Sequence, residues 1–387
     1  MTVIYSTQAI VEYDGLHYYS NPVKATYPRY LSLGKKVVVV SYCKNVKKAK
    51  SDLIEDGSVD FCFVKKINSA KALLDGTSKK NEELIKEQVR KADFCVAHVP
   101  CAHSYQVIKY AKLYGKPYMT VVVGCAWDSL WNYGWRGKLM APNAFFELRK
   151  IQRDSPYSIY VTNRFLQDRY PTNGRSISCS NVNISTGLPG VLEQRLQNIE
   201  KRKNEGRTLR IGTAAAVDVP YKGQEYVIKA LKQLKVMGLS FEYHLAGNGS
   251  SDRLKAIAEK EGVASSVFFH GSMPHSKILE FMDDLDVYVQ PSKQEGLPRA
   301  TIEAMSRGCL CLGSRIAGIP ELLEPEFLFS KGDVQGIAGI LSRITPEKQV
   351  AQANRNYETA KEYDKDILNK RRTQFILEFK ENSMERL

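Results

Sequence analysis

The chain has 387 residues, 43% of them hydrophobic and 25% charged, with a formal net charge of +14. That length and balance fit a soluble globular protein with two domains, each with its own core. No run approaches the roughly 20 uninterrupted apolar residues of a membrane-spanning helix. The opening MTVIYSTQAIVEYDG lacks a basic start and a long apolar core, so no signal peptide is expected. Eight scattered cysteines, none in a Cys-x-x-Cys pair, read as buried free thiols and not as a disulfide or zinc framework. A cytoplasmic protein without a metal site is expected.

The charge is uneven. Residues 1–190 hold 27 Lys and Arg against 15 Asp and Glu, which places +12 of the +14 in the first half. Such an excess points to nucleic acid, an anionic membrane surface or a phosphorylated substrate, the plain alternative being a basic surface without a partner.

Taken in order, Val37–Ser41, Phe94–His98, Tyr118–Val123 and Ile159–Thr162 are short apolar, partly β-branched runs that predict strands. Helical patterns at Asn81–Lys91, Ser104–Tyr114 and Asn163–Tyr170 alternate with them, and Pro171 stops the last. This alternation predicts an α/β fold with a doubly wound parallel sheet. Beyond Val123 the stretch GCAWDSLWNYGWRGK carries all three tryptophans, Trp127, Trp131 and Trp135, with Asp128 as its one carboxylate. It reads as an aromatic loop, either a platform for sugar faces or a lipid-linked group, or a packing cluster. Asp128 is then the polar candidate near an acceptor hydroxyl. His98 and His103 follow another strand and are placed toward a cleft, and Asp14-Gly15 is the glycine-bearing turn of the N-terminal region.

Polar Leu192–Arg207 predicts a hinge between about Leu188 and Thr208. The pattern then restarts with strands Leu209–Thr213, Phe241–Ala246 and Val267–Gly271. Lys222-Gly223 stands in the first connection, Gly247-Asn248-Gly249 ends the second strand, and His270-Gly271 ends the third. Asp364–Leu387 predicts a long closing helix with Ile367, Leu368, Phe375, Ile376 and Phe379 as its apolar residues.

The most informative stretch is Val287–Leu323, which reads as strand, loop, helix, strand and loop. Pro291 ends the first strand, Pro298 suits a first helical turn, and Gly308 stops the helix. A loop at the carboxyl end of a parallel strand is where open α/β sheets bind ligands. N–H groups at the helix start, near Gly296, Leu297, Pro298 and Arg299, suit an anion such as a diphosphate. Glu295 and Glu303 would accept hydrogen bonds from sugar or ribose hydroxyls.

Pro291, Ser292, Glu295, Gly296, Pro298 and Glu303, with Gly318-Ile319-Pro320-Glu321 after them, resemble the donor-site signature of retaining glycosyltransferases of family 4. The resemblance implies a GT-B fold: two Rossmann-like domains facing a cleft. Residues 1–190, joined by helix 365–387, would form the acceptor domain and residues 208–364 the donor domain. It implies Lys222, beside Gly223, as the group directed at the donor diphosphate, with Gly247, His270 and Gly271 as further donor-side residues. Lys222, Glu295 and Asp128 are the catalytic candidates, and Gly15, His98, Trp127, Asp128 and Trp131 the acceptor-side ones. The family's arginine five residues before Lys222 is replaced by Val217, and Gly124-Cys125 stand where its histidine is expected. The stretch from Gly124 to Pro142, with YVTNRFLQDRYP further on, is similar to a subgroup building bacterial capsular or exopolysaccharides.

The implied activity is metal- and cofactor-independent transfer of a sugar from a nucleotide-diphosphate sugar, UDP being the expected nucleotide. The acceptor would be a glycan hydroxyl, lipid-linked, at an anionic membrane surface and without nucleic acid. A GT-B epimerase or phosphorylase, a catalytically impaired homologue and a basic nucleic-acid-binding protein are the rival readings.

Overall fold

The computed structural model describes residues 1–54, 57–67, 76–132 and 134–385. Its strands are β1 (Thr2–Tyr13), β2 (Tyr18–Tyr19), β3 (Lys36–Asn45), β4 (Val59–Phe63), β5 (Phe94–Val99), β6 (Tyr118–Val122), β7 (Tyr157–Tyr160) and β8 (Arg175–Ser178) in the first half. In the second half they are β9 (Leu209–Ala214), β10 (Phe241–Ala246), β11 (Val267–Gly271), β12 (Val287–Gln290), β13 (Leu310–Ser314) and β14 (Leu328–Phe329). The first sheet has the order β4-β3-β1-β5-β6-β7-β8 and the second the order β11-β10-β9-β12-β13-β14. Every pair along both paths is parallel; the exception is β2, which pairs antiparallel with β1 off the path.

Parallel sheets need cover on both faces, so their strands are apolar throughout. Val37 to Val40 and all of β5 are buried accordingly. The helices that cover the sheets are α1 (Asn21–Lys24), α2 (Thr77–Lys91), α3 (Ala102–Leu113), α4 (Ala126–Trp131), α5 (Gly134–Arg153) and α6 (Phe165–Arg169) in the first half. They continue with α7 (Val191–Glu205), α8 (Gln224–Val236), α9 (Asp252–Lys260), α10 (His275–Asp283), α11 (Arg299–Ser306), α12 (Val334–Leu341), α13 (Pro346–Lys361) and α14 (Lys365–Met384).

Three expectations are corrected. The N-terminal stretch, not predicted as a strand, forms β1, the central strand between β3 and β5. Its Ser and Thr residues hide the apolar run, yet Ser6 and Thr7 are buried within the sheet. The stretch read as an aromatic loop is two helices, α4 and α5, with Tyr133 between them outside the described residues. The polar segment read as a hinge is the helix α7. Its charge pattern looks solvated, but Arg195 and Arg202 are buried against the second half. Arg195 donates to the carbonyls of Met282, Leu285 and Arg307, and Arg202 pairs with buried Asp286 at 2.6 Å.

The closing helix α14 returns to the first sheet. Phe379 meets Phe94 edge-on, Phe375 packs against Tyr157, and Arg372 donates to the Ser180 carbonyl at 2.7 Å. Ile367 differs from expectation in standing 47% exposed, and the last two residues lie outside the described ones.

Candidate active site

A cleft of about 460 Å³ opens at the carboxyl ends of β9, β10 and β12. In the second sheet the order of strand addition reverses between β9 and β12, and such a switch point is where doubly wound sheets leave a crevice. Lys222, Gly247, Glu295, Leu297, Pro298, Arg299 and Glu303 all line this one cleft.

Each reaches it for a local reason. Lys222 ends a short 3-10 turn, Pro220–Lys222, and Gly223 follows at φ 74°. A side chain at Gly223 would overlap the Pro291 carbonyl oxygen, so the turn sits against the end of β12 only because this residue is glycine. Gly247 is a close approach of the same kind, since a Cβ there would overlap the Ala215 carbonyl. Pro298 precedes α11 without a side-chain cap, which leaves the first N–H groups of that helix beside the cleft.

Glu295 is held by a hydrogen-bonded cluster. Its Oε1 accepts from Lys222 Nζ at 2.6 Å, from Ser292 Oγ at 2.7 Å and from Gln290 Nε2 at 3.1 Å. Gln290 is itself fixed by Tyr288, whose hydroxyl donates to its Oε1 at 2.8 Å. The carboxylate therefore has one orientation, and it holds the Lys222 ammonium at the cleft wall. Across the cleft, Glu303 lies 3.4 Å from His275 Nε2. That hydrogen bond raises the His275 pKa above 6.5, so the ring carries its charge more readily and supports Glu303.

Four donor-side expectations fall elsewhere. His270 points out of the cleft lining: it is exposed, stacks on His244 and lies 3.0 Å from that ring's Nδ1. Gly271 acts one step back, its carbonyl accepting from the Gly247 N–H at 2.8 Å. Gly223 sets the turn, and Gly296 faces the first half, where a Cβ would come 2.7 Å from the Val123 carbonyl. Sequence reasoning missed His275, Ser272, Met273, Asn248, Gln290 and Ala214–Ala216, all of which line the cleft. The signal lay in counting on from β11: side chains alternate within the strand, and the residues just past its carboxyl end enter the crevice.

The acceptor-side expectations divide. His98 is corrected: it is buried, bonded to Tyr30 Oη at 2.8 Å and packed on Tyr5. Burial holds it neutral, with its pKa down at about 3. Gly15 is also corrected. It sits in the exposed turn between β1 and β2, because β1 runs on past Ser6, where its pairing with β5 ends. Trp127 and Trp131 stack at 5.0 Å on α4, and Trp131 is 37% exposed. Asp128 is half-buried on the same helix, and its carboxylate has no hydrogen-bond partner among the described residues. Neither tryptophan nor Asp128 lines this cleft, but Asn132, at the end of α4, lies 3.4 Å from Gln294 Oε1 in the loop after β12. A second groove of about 890 Å³ opens beside α4 between α3 and α5, with Gln8, Pro100 and Leu130 among its walls.

The two halves also meet through Glu321. Its carboxylate accepts from the N–H groups of Asn163, Arg164 and Phe165 at 2.6, 3.1 and 2.7 Å, capping α6 from the other half.

Two Rossmann-like parallel domains around a cleft define the GT-B fold of glycosyltransferases. Residues 197–363 match the family model described as Glycosyl transferases group 1. The chain is 29% identical over 329 residues to Protein CapJ of Staphylococcus aureus, covering 84% of this chain and 81% of that protein. It is 30% identical to the amylovoran biosynthesis glycosyltransferase AmsK of Erwinia amylovora over 44% of each chain. Among solved structures, sucrose-phosphate synthase from Thermosynechococcus elongatus superposes with a TM-score of 0.72 at 13% identity, over 97% of this chain and 98% of that one. Anabaena HepE, solved with UDP-glucose, superposes with a TM-score of 0.64 at 16% identity, over 98% and 100%.

Proposed function

We propose that the protein is a retaining glycosyltransferase of family 4. It moves a sugar from a UDP-sugar to a hydroxyl of a growing, lipid-linked glycan of a surface polysaccharide. The observation that carries this reading is the convergence of Lys222, Glu295, Glu303 and the uncapped start of α11 on one switch-point cleft. UDP-glucose in HepE and the polysaccharide role in AmsK's name support the donor and product classes.

In this reading residues 208–364 bind the donor, and residues 1–190, with α14, bind the acceptor. The diphosphate meets Lys222 and the first N–H groups of α11, with exposed Arg299 as a second cation in place of the arginine that Val217 replaces. These groups stabilise charge on the departing phosphate without a metal, which is where preorganised donors act most strongly. Glu303, steadied by His275, accepts from ribose or sugar hydroxyls. Glu295 aims Lys222, and its second carboxylate oxygen is left for the sugar. The leaving phosphate helps take the proton of the attacking hydroxyl on the same face, which retains configuration. Asp128 orients that hydroxyl from α4.

The test is incubation with labelled UDP-, GDP- and dTDP-sugars and a membrane extract. Label from a UDP-sugar is expected in a lipid fraction with the anomeric configuration kept. Buried Val217 favours one second reading, a homologue that binds nucleotide without transferring sugar. Nucleotide binding with no transfer from any donor would establish that reading instead.

A further inference from the structure

Helix α5 carries more than the acceptor reading requires. Gly137, Ala141, Leu148 and Gln152 form its buried side, and Gln152 bonds to Thr120, Ser158 and Tyr160 of the sheet. Its outer side is apolar where a solvated helix is polar. Trp135, Leu139 and Phe146 are 68%, 72% and 66% exposed. At 3.6 residues per turn these three fall within about 40° of one another, so they form one stripe along the helix. Arg136 and Lys150 flank the stripe on one side, Lys138 and Arg149 on the other. Over its length the helix has five basic residues and a single carboxylate, Glu147. Arg136 sits over the Trp135 ring at 5.3 Å, and Lys138 over Trp131 at 5.7 Å, so cations and rings share one surface. Pro142 lies inside the helix and lacks a backbone N–H to donate.

An apolar stripe bordered by cations on a helix about 30 Å long is the form of a helix lying in a bilayer interface. The rings and Leu139 reach the acyl boundary while Arg and Lys meet anionic headgroups. A second copy of the chain fits less well, because two such faces would bring basic flanks together. The position is also apt: α5 walls the groove beside α4, with Leu139 and Met140 from this helix and Lys109 and Lys112 from α3.

We infer that α5 is the membrane anchor of this protein, laid in the plane of an anionic leaflet with Trp135, Leu139 and Phe146 inserted. This deepens the proposed function, on which it rests for the lipid-linked nature of the acceptor; the anchoring surface itself does not depend on that reading. The groove then opens at bilayer height, where a lipid-linked acceptor presents its glycan to the cleft.

The test uses the full chain in flotation with mixed phosphatidylglycerol–phosphatidylcholine vesicles and with pure phosphatidylcholine. Binding is expected on the mixed vesicles, weakening as salt rises. A variant with Trp135→Ser, Leu139→Ser and Phe146→Ser alters only exposed side chains. It should keep its circular dichroism and its affinity for UDP while losing at least about tenfold in vesicle partitioning. Lys138→Gln with Lys150→Gln, both exposed, should reduce the preference for the anionic lipid. Vesicle binding of the triple variant within twofold of the wild type, or no binding by the wild type, would overturn the inference. So would a wild-type dimer that the triple variant dissolves while wild-type vesicle binding is absent. UDP affinity separates the two readings: its loss with anchoring intact would sink the enzyme proposal alone.

Discussion

Lys222 shows how a single side chain depends on its supports. It stands at the cleft wall because Glu295 holds it and Gly223 lets its turn approach β12. Lys222→Ala should lower turnover by about 10²–10³-fold with the melting temperature nearly unchanged. Wild-type rates would remove the leaving-group role. Gly223→Ala places a Cβ against the Pro291 carbonyl at a positive φ, and it should cost about 1–3 kcal/mol and weaken donor binding together. Denaturant midpoints and UDP titration check the two effects. His98 gives a pH dependence. The unfolded chain protonates this ring below about 6.5, whereas the folded one holds it neutral down to about 3. The unfolded state thus binds more protons in that window, so stability is full above it and lost as pH falls through it. In His98→Gln, the gap in urea midpoint from wild type should narrow between about pH 7.5 and about pH 5. An equal gap at both would clear His98 of the acid sensitivity.

At the scale of elements, burial overrides polarity. Helix α7 reads as a linker because its composition is charged, yet Arg195 satisfies three carbonyls from the second half. Arg195→Ala strands those carbonyls and should cost about 2–3 kcal/mol, measured by denaturant unfolding. A change under about 0.5 kcal/mol would return α7 to the status of a free linker. Helices α4 and α5 were hidden for a related reason. Three tryptophans, Pro142 and scattered glycines break the helical pattern, and the stripe that would identify α5 faces outward instead of toward a core. The loop after β12 and α11, by contrast, are legible in sequence. Their prolines, glycines and carboxylates set local backbone geometry, which depends on spacing along the chain.

At the scale of the molecule, the two halves share more than a cleft. The main apolar cluster joins Val122 and Val161 of the first half with Leu297 and Ile319 of the second. Glu321 caps α6 across the boundary, and Gly296 lets the loop after β12 touch Val123. Gly296→Val should therefore hold the halves apart. UDP affinity should stay within a few-fold while sugar transfer falls at least about tenfold, because closure assembles the site and excludes water. Equal losses in binding and transfer would mean that Gly296 serves the donor cleft alone.

Local chemistry along the chain determined the fold class, and it brought out the loop after β12, Lys222 and the two glutamates as candidates that share one cleft: strand periodicity, turn residues and short-range spacing carry that information without a partner. Tertiary structure alone decided that β1, with Ser6 and Thr7 interrupting its apolar run, is a central strand and that charged α7 is packed. It also decided that His275 and not His270 enters the cleft, and that His98 is core. In each case the deciding quantity is burial or direction, which is set by what arrives from a distant part of the chain. Glu321 is the clearest instance. It closes the donor signature in sequence, yet its carboxylate lies on the N–H groups of a helix more than 150 residues away.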